Sequence, residues 1–154
     1  MSSVLDVPWD MVIKWKEDDL QMAVSETLRR METEVGGFTF AADQNAGRRS
    51  WKMGAKLKAM GMRAGEVDLR IYAADGEMVH IELKTNKGSL SASQRDRHEL
   101  LRGLGHEIYV VKAGTPAEAV ESVLNILLPV LDKSVIKVGD AHLSARMSVK
   151  RRGL

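Results

Sequence analysis

The sequence has no cysteine, which excludes disulfide bonds, zinc–thiolate sites and thiol catalysis. It also has no long apolar run. The longest one, from Ile126 to Leu131, is far shorter than the roughly 20 residues that cross a bilayer. Neither an internal repeat nor a low-complexity segment is present. With 154 residues, 44% hydrophobic and 29% charged, the chain is expected to form one globular domain without a membrane segment, in the cytoplasm.

Acidic residues are missing from the segment between Gln44 and Gly65. This segment carries six basic residues instead: Arg48, Arg49, Lys52, Lys56, Lys58 and Arg63. A second basic cluster contains Arg146, Lys150, Arg151 and Arg152. Such asymmetry is typical of a face that binds a polyanion. A solvated basic helix face gives the same pattern, so the charges alone leave both interpretations open.

The spacing of apolar residues predicts the element order α-β-α-β-β-α-β-α. The first helix is expected from about Trp15 to Val35, with a buried stripe made of Leu20, Val24, Leu28, Met31 and Val35. Residues 1–133 are therefore predicted to form one α/β domain around a mixed central sheet flanked by helices. Residues 134–154 are predicted to be a C-terminal extension, with the alternation of a β-hairpin, and not a separate domain.

The register of the central hairpin can be tested on the sequence. A two-residue loop at Asp75-Gly76 would place every apolar residue opposite a polar one. A three-residue loop, 74–76, instead pairs apolar residues on one face. Those predicted pairs are Val67 with Leu83, Leu69 with Ile81, and Ile71 with Val79. Gly76 then takes the left-handed position of the loop.

This register has a consequence on the opposite face, where Asp68 faces Glu82 and Lys84 follows on the same side. Directly opposed carboxylates repel each other, at a cost of up to roughly 1 kcal/mol. A divalent cation between them removes the repulsion, and oxygen ligands without cysteine favour Mg²⁺ or Mn²⁺. A lysine beside a metal-bound phosphodiester suits hydrolysis. A solvent-exposed strand face with a Glu–Lys neighbour pair is the rival interpretation.

Four blocks of the sequence resemble the VRR-Nuc family, nucleases of the PD-(D/E)xK, or restriction-endonuclease-like, superfamily. The blocks run from Lys16 to Val24, from Gln44 to Arg48, from Gly65 to Asp68 together with Ile81 to Lys84, and from Gly88 to Gln94. Together the similarity extends over roughly residues 16–112. One position departs from the family: it usually has proline before the aspartate, and this chain has Val67.

The resemblance implies a restriction-endonuclease-like fold and a specific set of site residues. It implies that Asp68 and Glu82 bind the metal together with the backbone carbonyl of Leu83, and that Lys84 is the catalytic lysine. Glu17 would be a further acidic site residue that reaches a metal through water. Gln21 and Gln94 would be supporting polar residues. Nucleic-acid contacts are predicted for Asn45, Arg48, Arg49, Lys52, Lys56 and Lys87.

The function expected from these features is a Mg²⁺- or Mn²⁺-dependent endonuclease acting on DNA. Small relatives resemble Holliday-junction resolvases, so a homodimer acting on branched DNA is expected. The alternatives are a nuclease with flap, duplex or RNA preference, and a non-catalytic nucleic-acid-binding module. Trp51 is interpreted as a core anchor or as a stacking platform, and His80 as a possible neighbour of the metal. His98 is interpreted as a structural or surface residue.

Overall fold

The computed structural model describes residues 13–43 and 51–132. The helices are α1 (Glu17–Glu34), α2 (Trp51–Ala59), α3 (Ala92–Gly103) and α4 (116–132). The strands are β1 (Phe38–Ala42), β2 (Leu69–Ala73), β3 (Met78–Thr85) and β4 (Ile108–Ala113). The predicted element order is confirmed. The proposed tail hairpin and the loop residues 44–50 lie outside the described residues.

The four strands form one mixed sheet in the order β1-β2-β3-β4. The first two pairings are antiparallel, while β3 and β4 run parallel. Because parallel neighbours need a crossover connection, α3 passes across one face of the sheet between β3 and β4. No helix within the described ranges is both long and apolar enough to span a membrane.

The main core lies between the other face of the sheet and the helices α1 and α4. Its strand residues include Leu69, Ile81 and Leu83, none of which is exposed to solvent. α1 contributes Leu20, Val24 and Leu28, and α4 contributes Ala119, Val123, Leu127 and Leu131. The predicted stripe of α1 is thus confirmed over its first three members. Val35 is 63% exposed, because α1 ends one residue earlier and Val35 lies past the edge of the core.

The predicted register of the β2–β3 hairpin is confirmed where the two strands pair. Leu69 lies opposite Ile81, and Ile71 lies opposite Val79. Gly76 (φ 77°) has the left-handed backbone that was predicted, and Asp75 (φ 59°) has it as well. Two consecutive positive φ values match the right-handed twist of a hairpin. The bonds from the Glu77 N–H to the Ala74 carbonyl and from the Ala73 N–H to the Glu77 carbonyl close the turn.

The predicted pair of Val67 with Leu83 is wrong. The ladder stops at Leu69, and Val67 packs instead with Leu101 and Ile108 in a smaller cluster. The reason is local: the Leu83 N–H donates to a side-chain oxygen of Asp68 over 2.7 Å, and not to a backbone carbonyl. The chain before Asp68 is therefore free to leave the sheet and pack toward α3.

Gly65 fixes the turn that leads into this segment. Its φ is +80°, and a Cβ atom there would lie 2.2 Å from the backbone oxygen of Ser93. Only glycine satisfies both the left-handed backbone and this close approach. The Arg97 guanidinium then holds the neighbouring Glu66 carboxylate at 2.7 Å. The loop and the first turns of α3 are thereby locked together.

We expect Gly65→Ala to destabilise the fold much more than Gly37→Ala. Gly37 has a nearly identical φ of +81° but nothing within 4 Å of a Cβ, so its alanine variant measures backbone strain alone. That strain costs about 1–2 kcal/mol. Gly65→Ala adds a clash with backbone, so at least about 2 kcal/mol more is expected. Urea unfolding measures both, and equal losses would contradict the close-approach role of Gly65.

Candidate active site

The polar face of β3 is buried, which is unusual for charged side chains. His80, Glu82 and Lys84 alternate with the core residues of β3, and all three are at most 5% exposed. They face α3, because Gln94 and His98 of that helix approach Glu82. The interpretation of this face as solvent-exposed is therefore wrong. A central strand covered by helices on both faces carries side chains that are largely shielded from solvent.

Asp68 lies where β2 begins and is anchored to β3 through its bond with the Leu83 N–H. This bond brings the main chain of Leu83, whose carbonyl is a predicted metal ligand, next to the Asp68 carboxylate. Burial raises the pKa of Asp68, although the bond from Leu83 and the charge of Lys84 oppose the shift. Asp68 is thus an acidic group held in a poorly solvated position.

Glu82 is fully buried, and its two carboxylate oxygens have different surroundings. Oε1 accepts a hydrogen bond from the Gln94 Nε2 amide and lies 3.0 Å from Lys84 Nζ. Oε2 has no hydrogen-bond partner among the described residues. Burial, followed by the charge of Asp68, raises the pKa of Glu82 to about 7. The influence of the Asp68 charge on the pKa of Glu82 therefore agrees with the predicted proximity of the two carboxylates.

Lys84 connects the acidic pair with α1. Its Nζ atom lies 3.0 Å from Glu82 Oε1 and 3.3 Å from Glu17 Oε2. Burial lowers the pKa of Lys84, but the hydrogen bond and charge of Glu82, assisted by Glu17, more than offset this and raise it. Lys84 is accordingly a fixed positive charge. Glu17, the first residue of α1, is connected to the site through its ion pair with Lys84.

Gln94 has two roles in the structure. Its Oε1 accepts a hydrogen bond from the Ser91 N–H over 2.9 Å, which completes the capping box of α3. Its Nε2 donates to Glu82. The start of α3 is therefore tied directly to the Glu82 carboxylate.

His98, which the sequence suggested was a structural or surface residue, lies in the cluster. It is fully buried, and its Nε2 lies 3.6 Å from Glu82 Oε2. Neither ring nitrogen has a hydrogen-bond partner among the described residues. Burial, with Arg102 and Lys84 nearby, lowers the pKa of His98. The available signal was its spacing, since His98 lies four residues after Gln94 and so on the same face of α3.

The remaining predicted residues lie at varying distances from this cluster. His80 lies on the same face, but its ring contacts His106 at a centroid distance of 5.2 Å, which gives no support to a metal-binding role. Lys52, Lys56 and Lys87 are exposed. Asn45, Arg48 and Arg49 lie outside the described residues. Among the described residues, no hydrogen bond joins the Gln21 side chain to the cluster.

The carboxylate oxygens of this cluster are the type of ligand that a hard divalent cation prefers. In the parts of the chain that the structure describes, no three His, Cys, Asp or Glu side chains are grouped as a ready-made metal site. The buried carboxylate of Glu82 and the half-buried carboxylate of Asp68 are nevertheless present, and Glu82 Oε2 has an unused acceptor capacity. A buried acceptor without a donor costs free energy, and a cation would satisfy it. Asp68, Glu82 and the Leu83 carbonyl are therefore the residues that fit such an ion.

Comparison with solved structures identifies the class of fold. A structure named VRR_NUC domain protein is 22% identical with a TM-score of 0.52, covering 79% of this chain and 92% of that one. A structure named VRR_NUC domain is 18% identical with a TM-score of 0.44, covering 70% of this chain and 92% of that one. No family model and no curated protein sequence matches the chain.

The first of these likenesses establishes that the chain has the mixed α/β, restriction-endonuclease-like fold of a VRR-Nuc domain. The predicted fold class is thereby confirmed.

The metal-free protein should lose stability as the pH rises through about 7 because of Glu82. The pKa of Glu82 in the folded protein, about 7, exceeds its ordinary value of 4.5. The folded state therefore favours the protonated form. This contribution is fully present below pH 4.5 and disappears as the pH rises through about 7. Its full size is of the order of 3 kcal/mol.

Urea unfolding in EDTA at several pH values measures this effect as the difference between wild type and Glu82→Gln. The lowered pKa values of His80 and His98 give an opposite trend, so the difference between the two proteins, and not the curve of either one, reports on Glu82 together with its neighbour His98. Glu99→Gln, an exposed carboxylate on α3, serves as control and should follow wild type. A difference that does not change with pH would show that Glu82 is not held in a raised-pKa state.

Proposed function

We propose that this protein is a divalent-metal-dependent endonuclease that hydrolyses DNA phosphodiester bonds. The observation that carries the proposal is the cluster of half-buried Asp68 with buried Glu82 and Lys84, in which two poorly solvated carboxylates lie near one fixed cation. A fold gains no stability from burying two acids together. Such a cluster is typical of a site whose chemistry needs them.

The side chains of the cluster have distinct roles in this proposal. Lys84 presents a positive charge that can stabilise the negative charge that develops on a phosphate during hydrolysis. Glu17 and Glu82 hold the Lys84 ammonium from two sides. Gln94 fixes the orientation of Glu82 through its amide. The preorganised charges need little rearrangement at the moment of reaction.

Asp68, Glu82 and the Leu83 carbonyl would hold Mg²⁺ or Mn²⁺, and Glu17 would contribute through water. When bound, the ion would neutralise the paired carboxylates, polarise the phosphate and lower the pKa of a coordinated water. The raised pKa values of both acids, caused first by burial, are consistent with this assignment, because a bound cation would stabilise the charged forms that burial disfavours. Neighbouring cations and buried carboxylates attract each other strongly in such a dry site.

DNA is the proposed substrate because α2 presents only basic charges. Lys52 and Lys56 are exposed on this helix, and Lys87 is exposed on the loop after β3. Exposed lysines that neutralise phosphates supply affinity without sequence preference. Asn45, Arg48 and Arg49 are proposed to extend this surface.

We further propose that two copies form a symmetric dimer that acts on branched DNA. A four-way junction has two-fold symmetry, so a dimer can present one active site to each of two strands. The C-terminal residues 134–154 are proposed as part of the dimer contact. Sedimentation of the full chain and of a chain ending at Lys133 tests this, and the contact is excluded if both sediment as the same dimer.

Cleavage should depend on the metal and on the cluster. Linear duplex, flap, four-way junction and RNA substrates are incubated with Mg²⁺, Mn²⁺ or EDTA. We expect cleavage of DNA in either metal, none in EDTA, and the highest rate on the junction. Asp68→Asn and Lys84→Ala should each reduce the rate at least about 100-fold, because each removes a charge that acts in the transition state.

Glu82→Gln and Glu99→Gln form the matched pair of controls, since both exchange a carboxylate for an amide and only Glu82 lies in the cluster. Cleavage by Glu99→Gln at the wild-type rate with loss in Glu82→Gln supports the assignment. Binding of DNA without cleavage of any substrate would instead identify a non-catalytic binding module. Equal rates for Asp68→Asn and wild type would place the active site elsewhere.

A further inference from the structure

Trp51 is the most exposed large apolar side chain of the described chain. It begins α2 and is 86% exposed, so its interpretation as a core anchor is wrong. None of the nine residues of α2 is buried. Burying a tryptophan is strongly favourable, and its exposure on the free protein indicates a surface that a partner covers.

The surroundings of Trp51 indicate the chemistry of that partner. Lys52, Lys56 and Lys58 lie on the same short helix and are all exposed, and α2 contains no acidic residue. An aromatic ring among lysines suits a ligand that is both anionic and aromatic. A second copy of the same helix would bring like charges together, which opposes self-association through this face.

The exposed surface of Trp51 and the α2 lysines matters for function because of where α2 lies relative to the active site. A groove of about 850 Å³ lies between α2 and α3, and its lining includes Gly54 and Leu57 of α2 and Ser93 and Arg97 of α3. Ser93 precedes Gln94, whose amide donates to Glu82. The helix with Trp51 therefore flanks the helix that covers the active site.

We propose that Trp51 stacks on an unpaired base of the bound DNA. This inference rests on the proposed function and adds a substrate class to it: DNA with unpaired bases near the cleavage site. In a duplex the base faces are already occupied by neighbouring bases, so a tryptophan gains a stacking partner only at a gap, flap, junction or single strand. Stacking tolerates any base, because each has a π face. The lysines beside Trp51 would bind the phosphate backbone of paired and unpaired DNA alike.

The test measures binding separately from cleavage. Asp68→Asn protein in EDTA is titrated by fluorescence anisotropy against three DNAs of equal length: a blunt duplex, the same duplex with a short gap, and the single strand. In this background, Trp51→Ala should weaken binding to the gapped and single-stranded DNA by roughly 5- to 150-fold. Its affinity for the blunt duplex should change less than about twofold. Trp51→Phe, which keeps an aromatic face, should recover most of the loss.

Lys52→Ala is the matched control on the same helix. It should weaken binding to all three DNAs similarly. It should also make the slope of log affinity against log salt concentration shallower by about one unit, whereas Trp51→Ala should leave that slope unchanged. Circular dichroism confirms that each variant is folded.

The possible outcomes separate this inference from the proposed function. Equal loss on all three DNAs for Trp51→Ala, or no loss on any, overturns stacking while leaving the nuclease proposal intact. Loss of self-association without loss of binding to single-stranded DNA would assign Trp51 to a contact between protein copies and also overturn it. Failure of the parent protein to bind any DNA overturns both proposals.

Discussion

The burial of the Glu82 carboxylate on a central strand is the constraint on which the site depends. Its side chain has no solvent exposure, so every interaction that water would supply must come from the protein or a ligand. Gln94 and Lys84 satisfy one oxygen, while the other faces His98 at 3.6 Å. The incomplete compensation raises the pKa of Glu82 to about 7.

The rest of the fold maintains this arrangement. One face of the sheet packs against α1 and α4 and provides an apolar core, which offsets the cost of the charged face. The other face is covered by α3, whose position is fixed by the close approach of Gly65 to Ser93. The same helix, α3, places Gln94 and His98 next to Glu82. The contacts that hold α3 in place therefore stabilise both the fold and the geometry of the site. A single shift of α3 would loosen both.

Sequence patterns predicted the features that depend on periodicity and failed where two elements meet. The pairing of Leu69 with Ile81 follows from alternation, because one face must be apolar. Alternation also suggested an exposed polar face for Glu82, and only the crossover of α3 shows that this face is buried. The hydrogen bond from the Leu83 N–H to the Asp68 side chain ends the ladder early. Trp51 is exposed because none of the residues of α2 is buried against the rest of the fold. These outcomes require tertiary packing, which local patterns do not encode.

The most direct test of this account is calorimetric titration of the protein with Mn²⁺, comparing wild type with Glu82→Gln and Glu99→Gln. Burial raises the pKa of Asp68 and raises that of Glu82 to about 7, so wild type should release protons to the buffer when it binds the ion. Glu82→Gln should lose affinity by more than roughly tenfold, a loss seen even for indirect partners of a metal, and Glu99→Gln should match wild type. Equal affinity in all three proteins, or no binding by wild type, would contradict the assignment of Asp68 and Glu82 as a metal site.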